Sequence, residues 1–490
     1  MFNAPSLWLE LAFSREYKLV CVFTSSKVFN HPIKNVFDWH KRAMALERIT
    51  PPWDNIQVLE KTPSSKSLLD GGKVLIKQSL LPFVSFNWEV MHKNYEANKG
   101  FEDYAIRSPF KLWEHKHHFS KLGPQTTRLI DEINFSHWIN LKSLNNYTLS
   151  KLKKSFDYRH EILSYDLSVS GKTLNRDMIL ITGGTGNIGT HLVPHLNSLG
   201  YKIILLKYDE EALNEYDFDN FSLGVDDIIK IKWNPYSKKT IKFPSNIANE
   251  IKFVINLSGE NILGVWTATK KKKIVDSRLV STNSILDIIK ENRINLDCCI
   301  HSSAIGIYGS NPGKELDEYH TKGSGFLADT THEWEMEQNK FAEYSKRNIN
   351  LRIGMVLSAN GGILSATRIP FKLGIGGYIG PGSNYLSWVG IEDLVRIIGL
   401  SLTNTSLDGA VNAVSPTPCT NIDFFSTLSE KLKSAVTLKI PSYIPRLISK
   451  EITDEILISD QFVRPAKLIA NKYSFFTSNL DEALDNAFGF

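Results

Sequence analysis

A glycine-rich turn near the middle of this 490-residue chain contains the residues that point most directly to chemistry. It follows the strand-like run 178–182, precedes a helix predicted over 189–199, and has GxxGxxG spacing. Such glycines permit a tight turn, let backbone amides approach a pyrophosphate, and let the helix pack closely on the strand. We predict a dinucleotide site here, formed on the turn by Gly183, Thr185, Gly186, Asn187, Ile188 and Gly189.

The end of the next strand bears on which dinucleotide binds. The strand-like run 201–207 ends on Lys207, and Asp209 follows two positions later. A cation at this place would pair with the extra phosphate of NADP, whereas an acid would bind the ribose hydroxyls of NAD. Both side chains share one face if the strand continues, so the spacing leaves the two alternatives open. The prediction is NADP, with Lys207 among its ligands and NAD as the alternative.

The elements that must position these residues change character near residue 175. Beyond it, strand-like segments, among them 350–356, alternate with helical ones, which is typical of a doubly wound α/β sheet of the Rossmann kind. Before it, β-rich runs such as 17–23, separated by turns, indicate a curved antiparallel sheet, and a polar linker over 168–177 ends this region. The tail is predicted to be a small, mostly helical cap with a final strand at 473–476. The predicted domains are 15–168, 178–411 and 412–490.

Composition limits the classes of partner. Lysine plus arginine number 57 against 52 for aspartate plus glutamate, and a net charge of +5 is too small at this length to indicate nucleic-acid binding. The four cysteines show no CxxC spacing, which fits a reducing compartment. Apolar runs fall short of the roughly 18 residues of a membrane span, and the start lacks the pattern of a secretory signal. A cytoplasmic protein is predicted.

Several stretches of the second half occur together in a known family. They are the glycine turn, 254–262, Asp276-Ser277-Arg278, 302–309, 351–354, 370–377, 386–393 and 411–416. With them, residues 178–490 resemble the extended short-chain dehydrogenase/reductase superfamily, in its epimerase-like branch of SulA-type nucleoside-diphosphate-sugar epimerase homologues. The resemblance implies an NAD(P)-binding fold in which Leu257, Ser258 and Gly259 also contact the cofactor.

Two arginines are the strongest candidates for substrate contacts. Arg278 and Arg352 fall within otherwise apolar surroundings, which fits either a buried ion pair or a clamp on a substrate. Together with Asn261 of the family-like stretch 254–262, they are the predicted substrate-binding residues.

Catalysis in the superfamily rests on a serine and a Tyr-x-x-x-Lys pair, whose lysine lowers the pKa of the phenol. Ser303 matches the serine, but the second half contains no Tyr-x-x-x-Lys. At the expected place stands Thr331-His332-Glu333-Trp334-Glu335, where the branch usually has Cys-x-x-Trp-Glu. Thr331 and Glu335 thus replace the phenol and the cation, which argues against ordinary alcohol dehydrogenation. The predicted catalytic residues are Ser303, Tyr308, Thr331 and Glu335, with a strand-end serine and a solvated helix glutamate as the structural alternatives.

The first half resembles the START-like domains, also called polyketide cyclase or helix-grip domains. Residues 32–40, 46–53, 109–115 and Asp131-Glu132 carry the resemblance. It implies an α+β helix-grip fold in which a sheet wraps around a helix near 148–166 and leaves an apolar cavity for a hydrophobic ligand.

Histidines of the first half raise the question of a metal. His115 and His117 share a strand face, whereas His118 lies on the other. Two ligands on that face are too few for zinc, so no metal site is predicted.

The sequence therefore predicts a START-like ligand-binding module joined to an NADP-binding, epimerase-like reductase with an atypical active site and a small-molecule substrate. The alternative is a non-catalytic NADP-binding sensor, such as a regulator of cell division, in which cofactor occupancy sets the binding state.

Overall fold

The structure is a computed structural model that describes residues 20–62, 70–81, 84–170, 177–216 and 227–490. The chain divides into two compact units, residues 1–174 and 175–490. Part of the predicted strand that begins at Tyr17, and most of the predicted linker 168–177, lie outside the described residues. In the part of the chain that is described, no helix is long and apolar enough to cross a membrane.

The first unit is built on an antiparallel sheet of seven described strands. Their order across the sheet is β1-β7-β6-β5-β4-β3-β2, so the first strand pairs with the last. The strands are β1 (Cys21–Phe29), β2 (Ile56–Thr62), β3 (Lys73–Leu81), β4 (Val84–Glu96), β5 (Gly100–Arg107), β6 (Leu112–Gly123) and β7 (Thr126–Ser136). The helices are α1 (Ile33–His40), α2 (Ala45–Ile49) and α3 (Lys142–Ser170).

The interior of this unit lies between one face of the sheet and the helices. Buried and more exposed residues alternate along β7, as a strand with one covered face requires. Helix α3 contacts β1 through Phe156, whose ring centroid lies 5.3 Å from that of Phe23. A fully buried ion pair, Arg48 Nη2 to Asp166 Oδ1 at 2.9 Å, joins α2 to α3. The antiparallel sheet is as expected, and the helix is longer at both ends than the predicted 148–166.

The second unit contains a parallel sheet of seven described strands in the order β10-β9-β8-β11-β12-β14-β19. The order reverses direction between β8 and β11, which is the topological switch point of a doubly wound fold. The strands are β8 (Met178–Thr182), β9 (Lys202–Tyr208), β10 (Ile228–Trp233), β11 (Ile251–Asn256), β12 (Cys298–Ala304), β14 (Asn348–Ile353) and β19 (Gly409–Ala413). Central strands such as β8 are buried throughout, because helices cover both faces of such a sheet.

Helices and short strand pairs complete the second unit. The helices are α4 (Gly189–Ser198), α5 (Ser245–Glu250), α6 (Ala268–Glu291), α7 (Phe326–Asn339), α8 (Gly362–Lys372), α9 (Ile391–Thr403), α10 (Asn421–Lys431), α11 (Tyr443–Ile448), α12 (Lys450–Ile452), α13 (Ala466–Ala470) and α14 (Leu480–Phe488). The short strands are β13 (Glu315–Leu316), β15 (Met355–Leu357), β16 (Ile375–Ile379), β17 (Tyr385–Leu386), β18 (Trp388–Gly390), β20 (Cys419–Thr420), β21 (Val436–Ile440) and β22 (Phe462–Val463).

Two predicted strands of this unit are wrong. The run 350–356 is broken at Gly354, so that β14 stays in the main sheet while β15 pairs with β18. A Cβ at Gly354 would lie 2.7 Å from the carbonyl oxygen of Ser387, so only glycine fits at the break. Residues 473–476 form no strand, because the amides of Phe476 and Thr477 donate to the buried carboxylate of Asp393 at 2.7 and 3.0 Å.

A buried histidine gives this unit a predictable acid sensitivity. His301 on β12 is fully buried, and burial lowers its pKa to about 3. Below about pH 6.5 His301 is therefore protonated in the unfolded chain but stays neutral in the folded chain. The free energy of unfolding consequently decreases as the pH falls. Between pH 6 and 4, we expect His301→Phe to reduce the decrease in the free energy of unfolding by about 1.4 kcal/mol per pH unit. Urea unfolding at several pH values measures this slope. The exposed control His332→Phe should leave the pH dependence unchanged.

Candidate functional site

The predicted site residues collect at the carboxyl ends of the parallel strands. The glycine turn follows β8, and Leu257, Ser258 and Gly259 follow β11, so both segments flank the switch point. Ser303 stands near the end of the next strand, β12. In open α/β sheets this crevice is where ligands bind.

The glycine turn is sterically closed at three of its glycines and open at one. A Cβ at Gly183, which has φ +69°, would lie 2.6 Å from the backbone of Leu257, and a Cβ at Gly189 would lie 2.3 Å from Gly184 Cα. A Cβ at Gly184 would lie 2.2 Å from Leu205. Gly186 is exposed, and a Cβ there would approach only the carbonyl oxygen of Gly183, at 3.3 Å. The backbone contacts therefore require glycine at 183 and 189, a Cβ at 184 would displace the side chain of Leu205, and there is space over Gly186.

The remaining turn residues differ in their contacts. Thr185 is exposed, whereas the side chain of Asn187 is engaged with another loop and accepts a hydrogen bond from Ser358 Oγ at 2.9 Å. A Cβ at Gly361 would lie 2.4 Å from Asn187 Cγ, so the second loop is held close to the turn. The backbone of Ile188 starts helix α4, where it accepts hydrogen bonds from the amides of the first turn.

A chain of hydrogen bonds connects β8, the strand before the glycine turn, to α7, the helix that carries Glu335. Thr182 Oγ1 donates to Asn256 Oδ1 at 2.8 Å, which also accepts from the amide of Ser258 at 3.1 Å. Asn256 Nδ2 donates to Thr282 Oγ1 at 3.3 Å, and Trp334 Nε1 donates to the same oxygen at 3.1 Å. These contacts fix the loop after β11 and the start of the predicted catalytic region relative to the glycine turn.

The two charged residues at the end of β9 have different partners. Lys207 is exposed, whereas Asp209 forms an ion pair with Lys232 of the neighbouring strand, with Nζ 2.9 Å from Oδ2. The hydrogen bond from Lys232 lowers the pKa of Asp209 below its ordinary value. Lys207 is therefore exposed at this end of the sheet, while the carboxylate of Asp209 is already paired.

Ser303, Glu335 and Arg352 form one buried group. Ser303 Oγ donates to Glu335 Oε1 at 2.6 Å. Arg352 holds the same carboxylate in a bidentate pair, from Nε to Oε1 and from Nη2 to Oε2, each at 2.9 Å. Although burial opposes its charge, the pairing with Glu335 raises the pKa of Arg352 above its ordinary value. Glu335 is thus a fixed, charge-neutralised acceptor for the serine and not a solvated helix glutamate.

Tyr308 joins this group through Arg352 and a residue that the sequence analysis missed. Arg352 Nη1 donates to the tyrosine hydroxyl at 2.9 Å, and the hydroxyl donates to Asn412 Oδ1 at 2.8 Å. Burial raises the pKa of the phenol, although Arg352 opposes the shift. The hydroxyl therefore stays protonated, with both of its hydrogen-bonding functions in use.

Sheet register explains this assembly. Ser303 lies opposite Arg352 across β12 and β14, and Arg352 lies opposite Asn412 across β14 and β19. The backbone amide of Asn412 in turn donates to Glu318 Oε1 at 3.1 Å. Asn412 lies in the family-like stretch 411–416 but was not predicted as a site residue, and Glu318 carries no local sequence signal. Only the strand order shows that both contact this group.

Other predicted residues lie apart from this group. Arg278 donates to the carbonyls of Glu260 and Ile274 at 3.1 and 2.9 Å and stacks on Trp334, and burial lowers its pKa to about 10. It secures the loop after β11 against α6. Asn261 is exposed and accepts a hydrogen bond from the amide of Leu263. Thr331 is buried one turn before Glu335 on α7, beside Gly306.

Comparisons with known proteins show what the chain is similar to. Residues 179–413 match the model of the NAD dependent epimerase/dehydratase family. An epimerase family protein of Mycobacterium leprae is 30% identical over 312 residues, which are 63% of this chain and 95% of the relative. An epimerase family protein of Staphylococcus haemolyticus is 30% identical over 309 residues, or 63% and 97% of the two chains.

Solved structures resemble the chain over different extents. The crystal structure of the nucleoside-diphosphate sugar epimerase from Corynebacterium glutamicum matches with a TM-score of 0.74 and 24% identity, over 95% of this chain and 90% of that one. This likeness concerns the fold alone, and it extends into the first unit. Human epimerase family protein SDR39U1, crystallised with NADPH, matches with a TM-score of 0.54 and 25% identity, over 64% of this chain and 99% of that one.

Proposed function

The chain belongs to the NAD-dependent epimerase/dehydratase family, and we propose that it is an NADP-dependent epimerase or oxidoreductase for a small-molecule substrate, with an active site built on Ser303 and Glu335. The observation that carries the proposal is the hydrogen bond from Ser303 to the carboxylate that Arg352 holds in place. It supplies a route for a proton where the Tyr-x-x-x-Lys pair is missing.

The residues present fit a nicotinamide dinucleotide. Gly183 and Gly189 are required by backbone contacts, while Gly186 leaves the turn open on the side where a diphosphate would approach the amides. The human relative was crystallised with NADPH, which supports NADP over NAD. Lys207 at the end of β9 supports the same choice, because it is exposed while the carboxylate of Asp209 is already paired with Lys232. When bound, the nicotinamide supplies hydride transfer.

The proposed mechanism gives Ser303 and Glu335 the proton transfer. A substrate hydroxyl would donate to Ser303 Oγ, whose own proton already points to Glu335 Oε1. Oxidation of an alcohol releases one proton together with the hydride, and that proton would pass through Ser303 to the carboxylate. In the reverse direction the protonated carboxyl returns it. Arg352 keeps the carboxylate oriented, and Tyr308 orients Arg352, so both are positioning residues.

One observation favours the alternative of an NADP-binding sensor without catalysis. Ser303, Tyr308 and Glu335 are 4%, 1% and 6% exposed, and each is already hydrogen-bonded within the protein. Buried side chains with satisfied hydrogen bonds stabilise the fold, and they can contact a substrate only after these hydrogen bonds rearrange.

We assign a START-like, ligand-binding role to the first unit as a second part of the proposal. Its support is the antiparallel sheet, the long helix α3 and an apolar cluster that includes Phe37, Phe101 and Phe119. An open groove of about 530 Å³, lined in part by Leu59, Phe86 and Arg107, offers a further surface for a small molecule.

Turnover distinguishes the enzyme from the sensor. NADPH absorbance would be followed while the full chain is mixed with a panel of carbonyl compounds and nucleotide sugars. Oxidation of NADPH that falls by about 10²- to 10⁴-fold in Ser303→Ala, with NADPH affinity unchanged, supports the enzyme. Tight NADPH binding without turnover on any compound of the panel contradicts it and supports the sensor.

Lys207 should set the preference between the two cofactors. We expect Lys207→Ala to weaken NADPH binding about tenfold, since it removes one charge-assisted contact, and to leave NADH binding unchanged. Fluorescence titration with each cofactor provides the measurement. The matched control is Lys230→Ala, which removes an exposed lysine on β10. If Lys207→Ala lowered the affinities for NADPH and NADH equally, a contact between Lys207 and the extra phosphate would be contradicted.

A further inference from the structure

A group of histidines and aspartates lies inside the first unit, far in sequence from the residues used above. It occupies the face of the antiparallel sheet that α1 and α3 cover, among the rings of Phe101 and Phe156. The members with the closest contacts are His92, Asp103, His115, His117, Asp131 and His160. The family resemblance accounts for none of these contacts, and the proposed reaction uses none of them.

The register of the sheet brings these side chains together. Asp103 on β5 lies directly opposite His115 on β6, and His92 on β4 lies opposite Asp103. His117, two residues along β6 and therefore on the same face, lies opposite Asp131 on β7. Two histidines of one strand are thus flanked by a carboxylate from each neighbouring strand.

Three donor atoms of the group converge on one point. Asp103 Oδ2 lies 3.4 Å from His117 Nε2 and 3.8 Å from His115 Nδ1, and one ligand atom from each of the three residues lies within 4.8 Å of the others. A tetrahedral ion with bonds of about 2.1 Å holds its ligands about 3.4 Å apart. The two distances from Asp103 Oδ2, 3.4 and 3.8 Å, are close to that spacing.

The two carboxylates of the group, Asp103 and Asp131, favour a bound cation. Asp131 is 3% exposed and the side chain of Asp103 is 21% exposed, and burying a carboxylate costs free energy that a nearby cation offsets. A divalent ion would neutralise the same carboxylates and let His117 be a neutral ligand.

We propose that Asp103, His115 and His117 bind a divalent first-row transition ion of the Zn²⁺ type. Imidazole nitrogens select borderline ions such as Zn²⁺ over Mg²⁺, which prefers oxygen ligands. His92 contacts Asp103 at 2.6 Å and Asp131 contacts His115 and His117 at 3.1 and 2.7 Å, so both can orient the three ligands from outside. The partly exposed side of Asp103 gives the ion a route to the site.

The first test needs no variant. The untagged full chain is stripped with a chelator, dialysed, and titrated by calorimetry with Zn²⁺ alone and with Mg²⁺ alone. The proposal requires one equivalent of Zn²⁺ to bind, with Mg²⁺ at least about 100-fold weaker. Absence of a stoichiometric Zn²⁺ site would overturn the proposal. The histidines and aspartates would then form a hydrogen-bonded network that only supports the fold. Equal binding of Mg²⁺ would also overturn it.

Variants then locate the ion. Asp103→Asn, His115→Gln and His117→Gln should each weaken Zn²⁺ binding by more than about 100-fold, and His92→Gln by a smaller factor. The matched control is His118→Gln, which changes the neighbouring but exposed histidine on the other face of β6 and should bind Zn²⁺ like the unaltered chain. Near-ultraviolet circular dichroism shows whether each variant is folded. If the folded variants keep the affinity of the unaltered chain, the ion sits elsewhere and the proposal is wrong. Replacing Zn²⁺ by Co²⁺ gives a further readout, because thiolate absorption would reveal binding at cysteine instead.

Discussion

Gly186→Val should abolish NADPH binding while leaving the protein folded. Gly186 is exposed, and a Cβ at this position meets only the carbonyl oxygen of Gly183, at 3.3 Å, so the fold can accommodate a side chain with a small adjustment. The branched side chain would occupy the space through which a diphosphate approaches the turn. We expect the affinity for NADPH to fall by more than about 100-fold in calorimetry, because several amide contacts to the diphosphate are lost together.

Gly189→Ala is the contrasting variant for this experiment. Its Cβ would lie 2.3 Å from Gly184 Cα and 2.5 Å from the carbonyl oxygen of Gly183, so the close packing of α4 on β8 would be lost. This variant should lower the midpoint of thermal unfolding as well as NADPH affinity, whereas Gly186→Val should lower affinity alone. NADPH binding by Gly186→Val at the original strength would show that the turn does not hold the cofactor, and the proposed cofactor site would then be wrong.

Glu335→Gln should lower both stability and activity. The side chains of Arg352 and Glu335 are 10% and 8% exposed, so the substitution leaves a buried guanidinium without its counter-charge. Removing one partner of a buried pair costs about 3–5 kcal/mol, measurable as a shift in the urea midpoint. The proton acceptor of Ser303 is lost as well, and turnover should fall by about 10²- to 10⁴-fold.

The double variant Glu335→Leu with Arg352→Met separates these two effects. Apolar side chains of similar size commonly restore the stability that a broken buried pair removes. We expect the double variant to regain most of the lost free energy of unfolding, to bind NADPH normally, and to remain inactive. Recovery of activity together with stability would show that the pair only supports the fold. Tyr308→Phe, which keeps the ring but removes the hydroxyl contact with Arg352, should fall between the extremes in both measurements.

Features that depend on neighbouring residues could be predicted from the sequence. The GxxGxxG turn, the alternation of strands and helices, and the four-residue step from Thr331 to Glu335 are local, and the structure places each on the element expected. Two strand predictions failed for reasons that are not local. Gly354 marks a change of pairing partner, and the amides near Phe476 are taken by Asp393, which lies 83 residues earlier in the chain.

The sequence by itself determined that this protein has a dinucleotide-type turn, an epimerase-like order of elements and no Tyr-x-x-x-Lys in its second half. Only the tertiary structure decided which side chains meet. Tyr308 and Asn412 are 104 residues apart, and Asp103 reaches His117 from another strand, so no spacing along the chain indicates either contact. The physical reason is that strand order and register are set by the packing of whole elements, and a shift of one residue would turn every side chain of a strand to the opposite face.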